Sequence, residues 1–403
     1  MVQNLVVSTL QACGVNVHLL DFTTTPTLEM YVQNHEEVLG GVILTASHNP
    51  KEWNALKLLN AKGEFVNSEE GMRIVELADS DDLTYVSVDE LGSVIKADSA
   101  LNEHIDCILA LDYVNVEEIK SKKFKVVVDA INSTASIALP PLLAKIGVSE
   151  VVIINEECSG DFAHNPEPLN HNIVDLCAKV KEVGADLGIA VDPDVDRLAL
   201  VDENGNPIGE EYTLVTVADY ILQHKKGATV SNLSSSRALS DITVKHGQTY
   251  TAAAVGEVNV VNAMKATKAV IGGEGNGGII LPDLHYGRDA LVGIVLVLNY
   301  MAKANKTLSE IRASYTNYSM IKDKMQLTAN MDVDGILFGI KTEFSGKDNI
   351  RVNDIDGIKL DFEQGWVHCR KSNTEPIIRL YAEAESVSIA TELVDSVRKS
   401  ISL

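Results

Sequence analysis

The sequence has 403 residues, of which 45% are hydrophobic, 23% are charged and only 5% are aromatic. This composition is typical of a globular protein, and the length allows two to four domains. The formal net charge of −23 argues against a nucleic acid or an anionic membrane as partner, because both attract basic surfaces. If the ligand is an anion, positive charge must be concentrated locally against this overall charge.

Five cysteines are scattered along the chain without CxxC spacing, which favours reduced thiols and a cytoplasmic protein over a disulfide framework. No apolar stretch reaches the roughly 20 residues of a membrane span, and no signal peptide is visible. The most apolar segment, Leu291–Tyr300, is short and predicts a buried helix.

The chain opens with a predicted helix at Val2–Cys13, followed by a strand at Asn16–Leu20. An α/β layer normally opens with a strand. This order therefore leaves two explanations open, a natural helical start or a chain that begins inside a domain.

Short β-branched segments then alternate with amphipathic helices, a pattern that predicts βαβ units and buried parallel sheets. Residues 56–66 differ, because "LKLLNAKGEFV" predicts a hairpin around an Asn-Ala-Lys-Gly turn. From about residue 326 the pattern changes to strands with two flanking helices, and we expect a mainly antiparallel α+β domain after a linker at Thr316–Lys324. We predict four domains, at residues 1–115, 116–224, 225–322 and 323–403.

Three strands end in polar loops, at residues 45–50, 192–197 and 272–278. In open α/β sheets, ligands bind outside the carboxyl ends of the strands. The fold class that we predict is therefore three similar mixed or parallel-sheet α/β domains, with the C-terminal α+β domain, around a central cleft.

The loop "DPDVDR" places Asp192, Asp194 and Asp196 at alternate positions after a strand, with Arg197 beside them. Three carboxylates at this spacing can converge on one divalent ion, and Mg²⁺ is the default with a phosphorylated ligand. An EF-hand would need glycine where Arg197 stands, although Glu203 fits its last position. Arg197 can instead bind a phosphate. A solvated acidic turn is the remaining alternative.

The loop "GGEGNGG" (272–278) carries Glu274 and Asn276 among glycines that allow a ligand close to the backbone. A carboxylate and an amide suit vicinal sugar hydroxyls. A flexible turn is the other explanation, and a nucleotide loop fails because no P-loop lysine or dinucleotide spacing follows.

The segment "RKSNTEPIIR" (370–379) combines Arg370, Arg379 and three side chains with amide or hydroxyl groups, Ser372, Asn373 and Thr374. Guanidinium, hydroxyl and backbone N–H groups together suit a phosphate. A surface turn before a strand would also permit this segment.

The loop "TASHNP" contains Ser47, but no GxSxG elbow surrounds it and no His-Asp relay is evident nearby, which argues against acyl transfer. A phosphoserine could instead face the metal and Arg197. Lys57 could reach back as a proton acceptor, although its position alone favours a solvated strand lysine.

These four motifs, in this order, make the chain resemble the α-D-phosphohexomutase family, and within it the bacterial phosphoglucosamine mutases, which share wording such as "SHNPKEWNALKLLN" and "GDFAHNPEP". The resemblance covers essentially the whole chain. It implies four domains around a cleft and a reaction that moves a phosphoryl group between O6 and O1 of a hexose or hexosamine phosphate through a bisphosphate intermediate.

The resemblance also implies roles for individual residues. For phosphoryl transfer these are Ser47 as phosphoserine and metal ligand, Asp192, Asp194 and Asp196 as the other Mg²⁺ ligands, Arg197 on the transferring group, Lys57 as general base, and His48 and Asn49 in the catalytic loop. For the substrate they are Gly256, Glu274 and Asn276 on the sugar, and Arg370, Ser372, Asn373, Thr374 and Arg379 on the other phosphate.

Two features depart from the family. Many members have histidine where Gly278 stands, so a proton role there must be absent or filled elsewhere, for which His285 is a candidate. The family also has an opening segment with an Arg-Asp-x-Arg element that has no counterpart before Met1, and we therefore expect an N-terminally truncated chain. A sugar-phosphate-binding inactive fragment and a Mg²⁺-dependent phosphatase are alternatives to mutase activity, and mannose or glucose phosphate is the alternative to glucosamine phosphate.

Overall fold

The computed structural model describes residues 1–49, 52–80, 84–327, 332–372 and 376–401. The chain folds into two compact units. The first contains Met1–Thr213 and Gly277–Glu310, and the second contains Leu214–Asn276 and Ile311–Leu403.

Helices and strands alternate through the first half of the chain. They are α1 (Val2–Ala12), β1 (Val17–Leu19), α2 (Thr25–Asn34), β2 (Gly41–Leu44), β3 (Leu56–Leu59), α3 (Ser68–Ala78), β4 (Val94–Lys96), α4 (Ala100–Leu109), α5 (Val116–Lys122), β5 (Lys125–Asp129), α6 (Ala135–Lys145), β6 (Glu150–Ile154), α7 (Val174–Val183), β7 (Leu187–Val191) and β8 (Leu198–Val201).

The second half continues this alternation and then changes to consecutive strands. Its elements are α8 (Glu210–His224), β9 (Thr229–Asn232), α9 (Ala238–Lys245), β10 (Tyr250–Ala253), α10 (Glu257–Thr267), β11 (Ile271–Glu274), β12 (Gly278–Ile280), α11 (Ala290–Ala304), α12 (Leu308–Arg312), β13 (Ser319–Gln326), α13 (Val333–Phe344), β14 (Arg351–Asn353), β15 (Ile358–Phe362), β16 (Gly365–Lys371), β17 (Ile377–Ala384) and α14 (Val387–Ile401).

A four-stranded sheet of order β6-β5-β7-β8 forms a core of the first unit. Strands β6 and β7 both run parallel to β5, and β8 runs antiparallel to β7. All residues of β7 and β8 are buried, as expected for β-branched strands covered by helices on both faces. The carboxyl end of β7 is consequently a rigid place from which a loop can project.

The region before this sheet is paired differently. Strand β1 pairs only with β4 and β2 only with β3, so that two separate two-stranded sheets replace one continuous sheet within the described residues. Helix α1 has no fully buried residue, and a cavity of about 1710 Å³ is lined by α1, β1 and β2 together with surrounding loops. The predicted hairpin at 56–66 is confirmed in part, because its second strand is a single bridge between Leu59 and Phe65.

In the second unit, β9 lies between β10 and β11 and runs parallel to both. A second sheet of order β13-β17-β16-β15-β14 is antiparallel throughout, which confirms the α+β pattern predicted for the end of the chain. The predicted linker at Thr316–Lys324 is wrong in its second half. Residues from Ser319 onward pair with β17 over the whole of β13, and these hydrogen bonds fix them as a strand.

The expected buried helix is α11, in which all but a few residues are fully buried. None of the helices in the described part of the chain is both long enough and apolar enough to cross a membrane. All five cysteines are free thiols, in agreement with their scattered spacing.

The turn between β3 and Phe65 requires glycine at position 63. Gly63 has a φ of +72°, and a Cβ there would lie 2.3 Å from the carbonyl oxygen of Glu29. By contrast, Gly71 lies in α3, where a Cβ would have no other atom within 4 Å.

We predict that Gly63→Ala lowers the free energy of unfolding by about 1–3 kcal/mol, because strain and a backbone clash combine. Gly71→Ala is the matched control and should raise it by about 0.5–1 kcal/mol, because alanine loses less entropy in a helix. Urea denaturation measures both, and equal effects of the two changes would contradict the geometry.

Candidate active site

The three aspartates of the predicted metal loop lie in the tight connection between β7 and β8. Val195 between them has a φ of +62°, and Asp192 Oδ1 accepts hydrogen bonds from the backbone N–H groups of Asp196 and Arg197 at 3.1 and 3.0 Å. All three aspartates are at least 98% buried. The loop therefore holds their carboxylates together at the carboxyl end of β7.

Ser47 lies in the loop after β2 and reaches this triplet. Its Oγ donates to Asp192 Oδ2 at 2.9 Å and lies 3.2 Å from His48 Nδ1. The backbone of Ser47 has a φ of +49°, a left-handed conformation that is unusual for a residue other than glycine. The structure thus brings the hydroxyl of the first loop to the carboxylates of the second, as the sequence predicted.

Three cations surround the three carboxylates. Lys57 Nζ lies 2.6 Å from Asp194 Oδ2 and 3.5 Å from Asp196 Oδ2. Arg288 Nη2 donates to Asp196 Oδ2 at 2.7 Å, and Arg197 Nε lies 3.9 Å from Asp192 and 3.8 Å from Asp196. Each buried carboxylate has a cation nearby, which offsets the cost of removing it from water.

Two further groups at this site were missed by sequence reasoning. Thr25, at the start of α2, donates its hydroxyl to Asp194 Oδ2 at 2.7 Å, and Arg288 comes from the turn before α11. In the sequence, "TTTPT" and "GRDA" look like helix starts, and both do begin helices. Their second role depends on tertiary packing, and no local pattern predicts it.

The charges at the site shift several pKa values. Burial, together with Asp196 and Asp194, raises the pKa of Asp192 well above its usual value. For Asp196, burial acts in the same direction, but Arg288, Lys57 and Arg197 overcome it and lower the pKa to about 2. Burial opposes the charge on Lys57, yet Asp194 and Asp196 raise its pKa, so its amine is protonated at neutral pH. The pKa of His48 is lowered by burial and by Arg197.

The aspartate triplet has the properties of a divalent cation site. One oxygen of each carboxylate lies within 4.8 Å of the others. Asp194 Oδ1 and Asp196 Oδ1 are buried and accept no hydrogen bond from the described residues. Buried oxygens of this kind are costly unless they have a partner, and hard oxygen ligands are those that Mg²⁺ or Ca²⁺ prefers.

The predicted sugar loop follows β11 in the second unit. Glu274 is buried, and its Oε1 accepts from Asn232 Nδ2 at 2.9 Å and from the backbone N–H of Gly256 at 3.3 Å. Gly256 stands at the start of α10 with a φ of +115°. Glu274 and Gly256 are thus neighbours, and Asn276 lies two residues further along the same loop.

The predicted phosphate-binding segment at residues 370–379, called the phosphate cradle below, includes the end of β16 and the start of β17. Arg370 and Arg379 stand directly opposite each other in this ladder, and Lys324 of β13 stands opposite Arg379 on its other side. Like charges that face each other across a sheet are destabilising. The row Lys324–Arg379–Arg370 nevertheless gathers positive charge on one face of the sheet, and its binding of a phosphate stays a prediction.

Asp356 connects the cradle to the start of α10. Its Oδ2 accepts from the backbone N–H of Val255 at 3.0 Å and lies 3.2 Å from Arg370 Nε, although not in line for a hydrogen bond. Ser372 is buried, and its N–H donates to the carbonyl of Ile377 at 3.0 Å. Asn373 and Thr374 lie outside the described residues.

The structure also gives the position of Gly278, where many members of the family have histidine. Gly278 begins β12. His285 is 97% buried between Glu29 and Asp289. Its candidate proton role stays a prediction.

Comparisons with known proteins identify the family of the chain. Four family models match the chain, namely the phosphoglucomutase/phosphomannomutase alpha/beta/alpha domains I, II and III at residues 1–84, 102–205 and 209–318, and the C-terminal domain at residues 319–400. They confirm the expected fold class of three α/β domains and a different C-terminal domain.

Relatives match over nearly all of the chain. A phosphoglucomutase/phosphomannomutase of Thermococcus kodakarensis is 35% identical and matches over 98% of this chain and 85% of its own length. A probable phosphoglucosamine mutase of Methanopyrus kandleri is 33% identical over 98% of this chain and 87% of its own length.

Among solved structures, a phosphoglucomutase/phosphomannomutase family protein of Burkholderia thailandensis has a TM-score of 0.82, 23% identity, and coverage of 99% of this chain and 85% of that chain. At this identity the similarity supports the fold alone. The family models and the relatives together show that this chain belongs to the phosphoglucomutase/phosphomannomutase family and is a phosphohexomutase.

Proposed function

We propose that the enzyme interconverts glucosamine 6-phosphate and glucosamine 1-phosphate through phospho-Ser47, a bisphosphate intermediate and a bound Mg²⁺ ion. The observation that carries this proposal is the 2.9 Å contact between Ser47 Oγ and Asp192 Oδ2. A nucleophilic hydroxyl and a cation site in contact are what phosphoryl transfer requires, since positioning and charge stabilisation supply most of its catalysis.

The charge balance of the site favours this chemistry. Three carboxylates face the three cations Lys57, Arg197 and Arg288. A phosphoserine adds a charge of about −2, and Mg²⁺ adds +2. The site can therefore hold both together and stay balanced, whereas either one alone would leave an excess of buried charge.

In the proposed cycle, Lys57 in its neutral form takes the proton of the free sugar hydroxyl, and the oxygen of that hydroxyl accepts the phosphoryl group of phospho-Ser47. The P–O bond to Ser47 breaks as the bond to the sugar oxygen forms, and Ser47 Oγ, the leaving group, takes up the proton that Lys57 releases. The bisphosphate then turns over, and its other phosphoryl group returns to Ser47. Asp192, Asp194 and Asp196 would hold Mg²⁺, which would offset the carboxylate charge that keeps Lys57 protonated and would polarise the phosphoryl oxygens.

The second unit supplies the groups that we assign to the substrate. Glu274, Asn276 and Gly256 would contact sugar hydroxyls, while Arg370, Ser372 and Arg379, with Asn373 and Thr374, would hold the phosphate that is not being transferred. Because the sugar must bind in two orientations, these contacts have to use hydroxyls that nearly superpose when the sugar is turned over. Movement of the C-terminal domain would let the intermediate turn.

Glucosamine phosphate is the substrate that we propose because the Methanopyrus relative is named a probable phosphoglucosamine mutase. The Thermococcus relative carries the name phosphoglucomutase/phosphomannomutase. Glucose or mannose phosphate is therefore the second candidate.

A coupled mutase assay with glucosamine 6-phosphate, mannose 6-phosphate and glucose 6-phosphate, each with Mg²⁺ and a trace of bisphosphate, should give the highest kcat/KM for glucosamine 6-phosphate. A higher kcat/KM for mannose 6-phosphate or glucose 6-phosphate would make that sugar phosphate the substrate instead. Folded protein without activity on any of the three sugar phosphates would indicate a sugar-phosphate-binding protein without turnover. Release of inorganic phosphate without isomerised sugar would indicate a phosphatase.

Ser47→Ala should reduce turnover by about 10³-fold or more, as expected when a covalent nucleophile is lost. Incubation with bisphosphate should add the mass of one phosphoryl group to the unmodified chain and none to this variant. Ser345→Ala, at an exposed serine after α13, is the control. A phosphorylated and active Ser47→Ala protein would exclude the proposed cycle.

Arg379→Ala should raise KM by about 10-fold or more, because a charge-assisted hydrogen bond to phosphate contributes roughly 1.5–3 kcal/mol. Arg351→Ala removes an exposed arginine from β14 of the same sheet and should leave KM unchanged. Steady-state kinetics with both variants tests the phosphate cradle. Equal KM values for the two variants would show that Arg379 does not bind the phosphate.

A further inference from the structure

A second cluster of metal-binding side chains lies in the first unit, and the proposed reaction does not use it. His104 lies on α4, and His285 and Asp289 lie in the turn that leads into α11. All three are at least 97% buried, and so is Glu29 of α2 beside them. The function of this cluster is a separate question from the proposed function.

We propose that His104 Nε2, His285 Nε2 and Asp289 Oδ2 bind a second metal ion of the Zn²⁺ class, distinct from the Mg²⁺ of the aspartate triplet. Two imidazole nitrogens and one carboxylate oxygen are ligands that Zn²⁺ prefers, with a water in the fourth position. Mg²⁺ prefers oxygen ligands and is selected against by this set.

The spacing of the three atoms fits one small ion. Asp289 Oδ2 lies 3.0 Å from His104 Nε2 and 3.4 Å from His285 Nε2, and all three ligand atoms lie within 4.8 Å of one another. Tetrahedral zinc with bonds of about 2.0–2.1 Å separates its ligand atoms by about 3.3 Å. The two histidine rings are perpendicular, with centroids 6.1 Å apart, so their nitrogens approach the carboxylate from different directions.

The outward-facing atom of each ligand lies beside a second polar group. His104 Nδ1 lies 3.0 Å from Thr27 Oγ1, and His285 Nδ1 lies 3.3 Å from Glu29 Oε2. Asp289 Oδ1 accepts from the N–H groups of Leu291 and Val292. Contacts of this kind orient metal ligands, and a carboxylate behind a ligating histidine is a recurrent arrangement.

The amide of Gly287 also lies 3.1 Å from His285 Nδ1. This contact competes with Glu29 for the same nitrogen. It is given up when Nδ1 carries the proton, which is the tautomer that leaves Nε2 free for a metal.

Charge and connectivity indicate what the ion would do. Glu29 and Asp289 bring two carboxylates into a buried space, where against the effect of burial they raise the pKa of His285 to about 9. A divalent ion would displace the proton of His285 and, with two neutral imidazoles, balance both carboxylates. The ion would join α2, α4 and the turn before α11. Arg288, which contacts Asp196, directly precedes Asp289. The ion would thus be a structural cross-link that supports one of the cations of the active site.

The test uses the full chain carrying Asp194→Asn, which weakens the aspartate triplet as a competing site. After chelation, the protein is dialysed against Zn²⁺ in excess Mg²⁺, and zinc is counted by elemental analysis. We expect one Zn²⁺ per chain and a higher Tm than in the chelated protein. Adding His104→Gln or His285→Asn should remove both effects, whereas His246→Gln, which breaks a histidine–aspartate pair of 2.7 Å elsewhere, should remove neither.

Zinc stoichiometry that is unchanged in folded His104 and His285 variants would overturn the proposal. If these variants do not fold, X-ray absorption of the zinc-loaded Asp194→Asn chain decides the question. Two imidazoles in the first coordination shell support the site, and a shell of oxygens alone, or no retained zinc, refutes it. None of these outcomes depends on mutase activity, so they are separate from the fate of the proposed function.

Discussion

The compensation of three buried carboxylates by three cations is the constraint around which the first unit is organised. An isolated carboxylate in the interior costs several kcal/mol, and removal of one partner from a buried ion pair costs about 3–5 kcal/mol. Lys57 comes from β3, Arg288 from the turn before α11, and Arg197 from the loop itself. The loop after β7 can therefore fold in its observed form only when distant segments deliver their charges to it.

The second unit brings together like charges rather than opposite ones. A chain with a net charge of −23 needs local positive charge if its ligand is an anion, and this unit aligns basic residues across neighbouring strands. Arg370, Arg379 and Lys324 occupy one row of an antiparallel sheet. The backbone hydrogen bonds of the sheet keep these side chains close together despite their repulsion, which is the arrangement that the proposed phosphate site needs.

Much of this could be predicted from the sequence. Strands followed by polar loops, and the rule that ligands bind at strand ends, were enough to expect Ser47 beside the aspartates, because both features are local. Arg288 and Thr25 were missed since their segments are also ordinary helix starts, and only packing brings them to Asp196 and Asp194.

The register between paired strands also cannot be predicted from the pattern of residues in the sequence. Lys324 could be recognised as part of the basic row only after the pairing of β13 with β17 was known. The division of the first region into two separate sheets was also unpredicted. Hydrophobic periodicity identifies strands but does not say which edges they share.

The ladder between β2 and β3 has a consequence for how the enzyme can change over evolutionary time. Ile43 and Lys57 face each other in this ladder, and the loop with Ser47 connects its two strands. Insertions or deletions within that loop would leave the pairing intact but would displace the Ser47 hydroxyl from Asp192. A slip of one residue in the ladder would instead turn Lys57 to the opposite face, away from Asp194. Point substitutions are therefore an accessible route to new specificity, whereas a shift of register between these two strands, or a change in the length of the loop between them, would separate Lys57 or Ser47 from the aspartates.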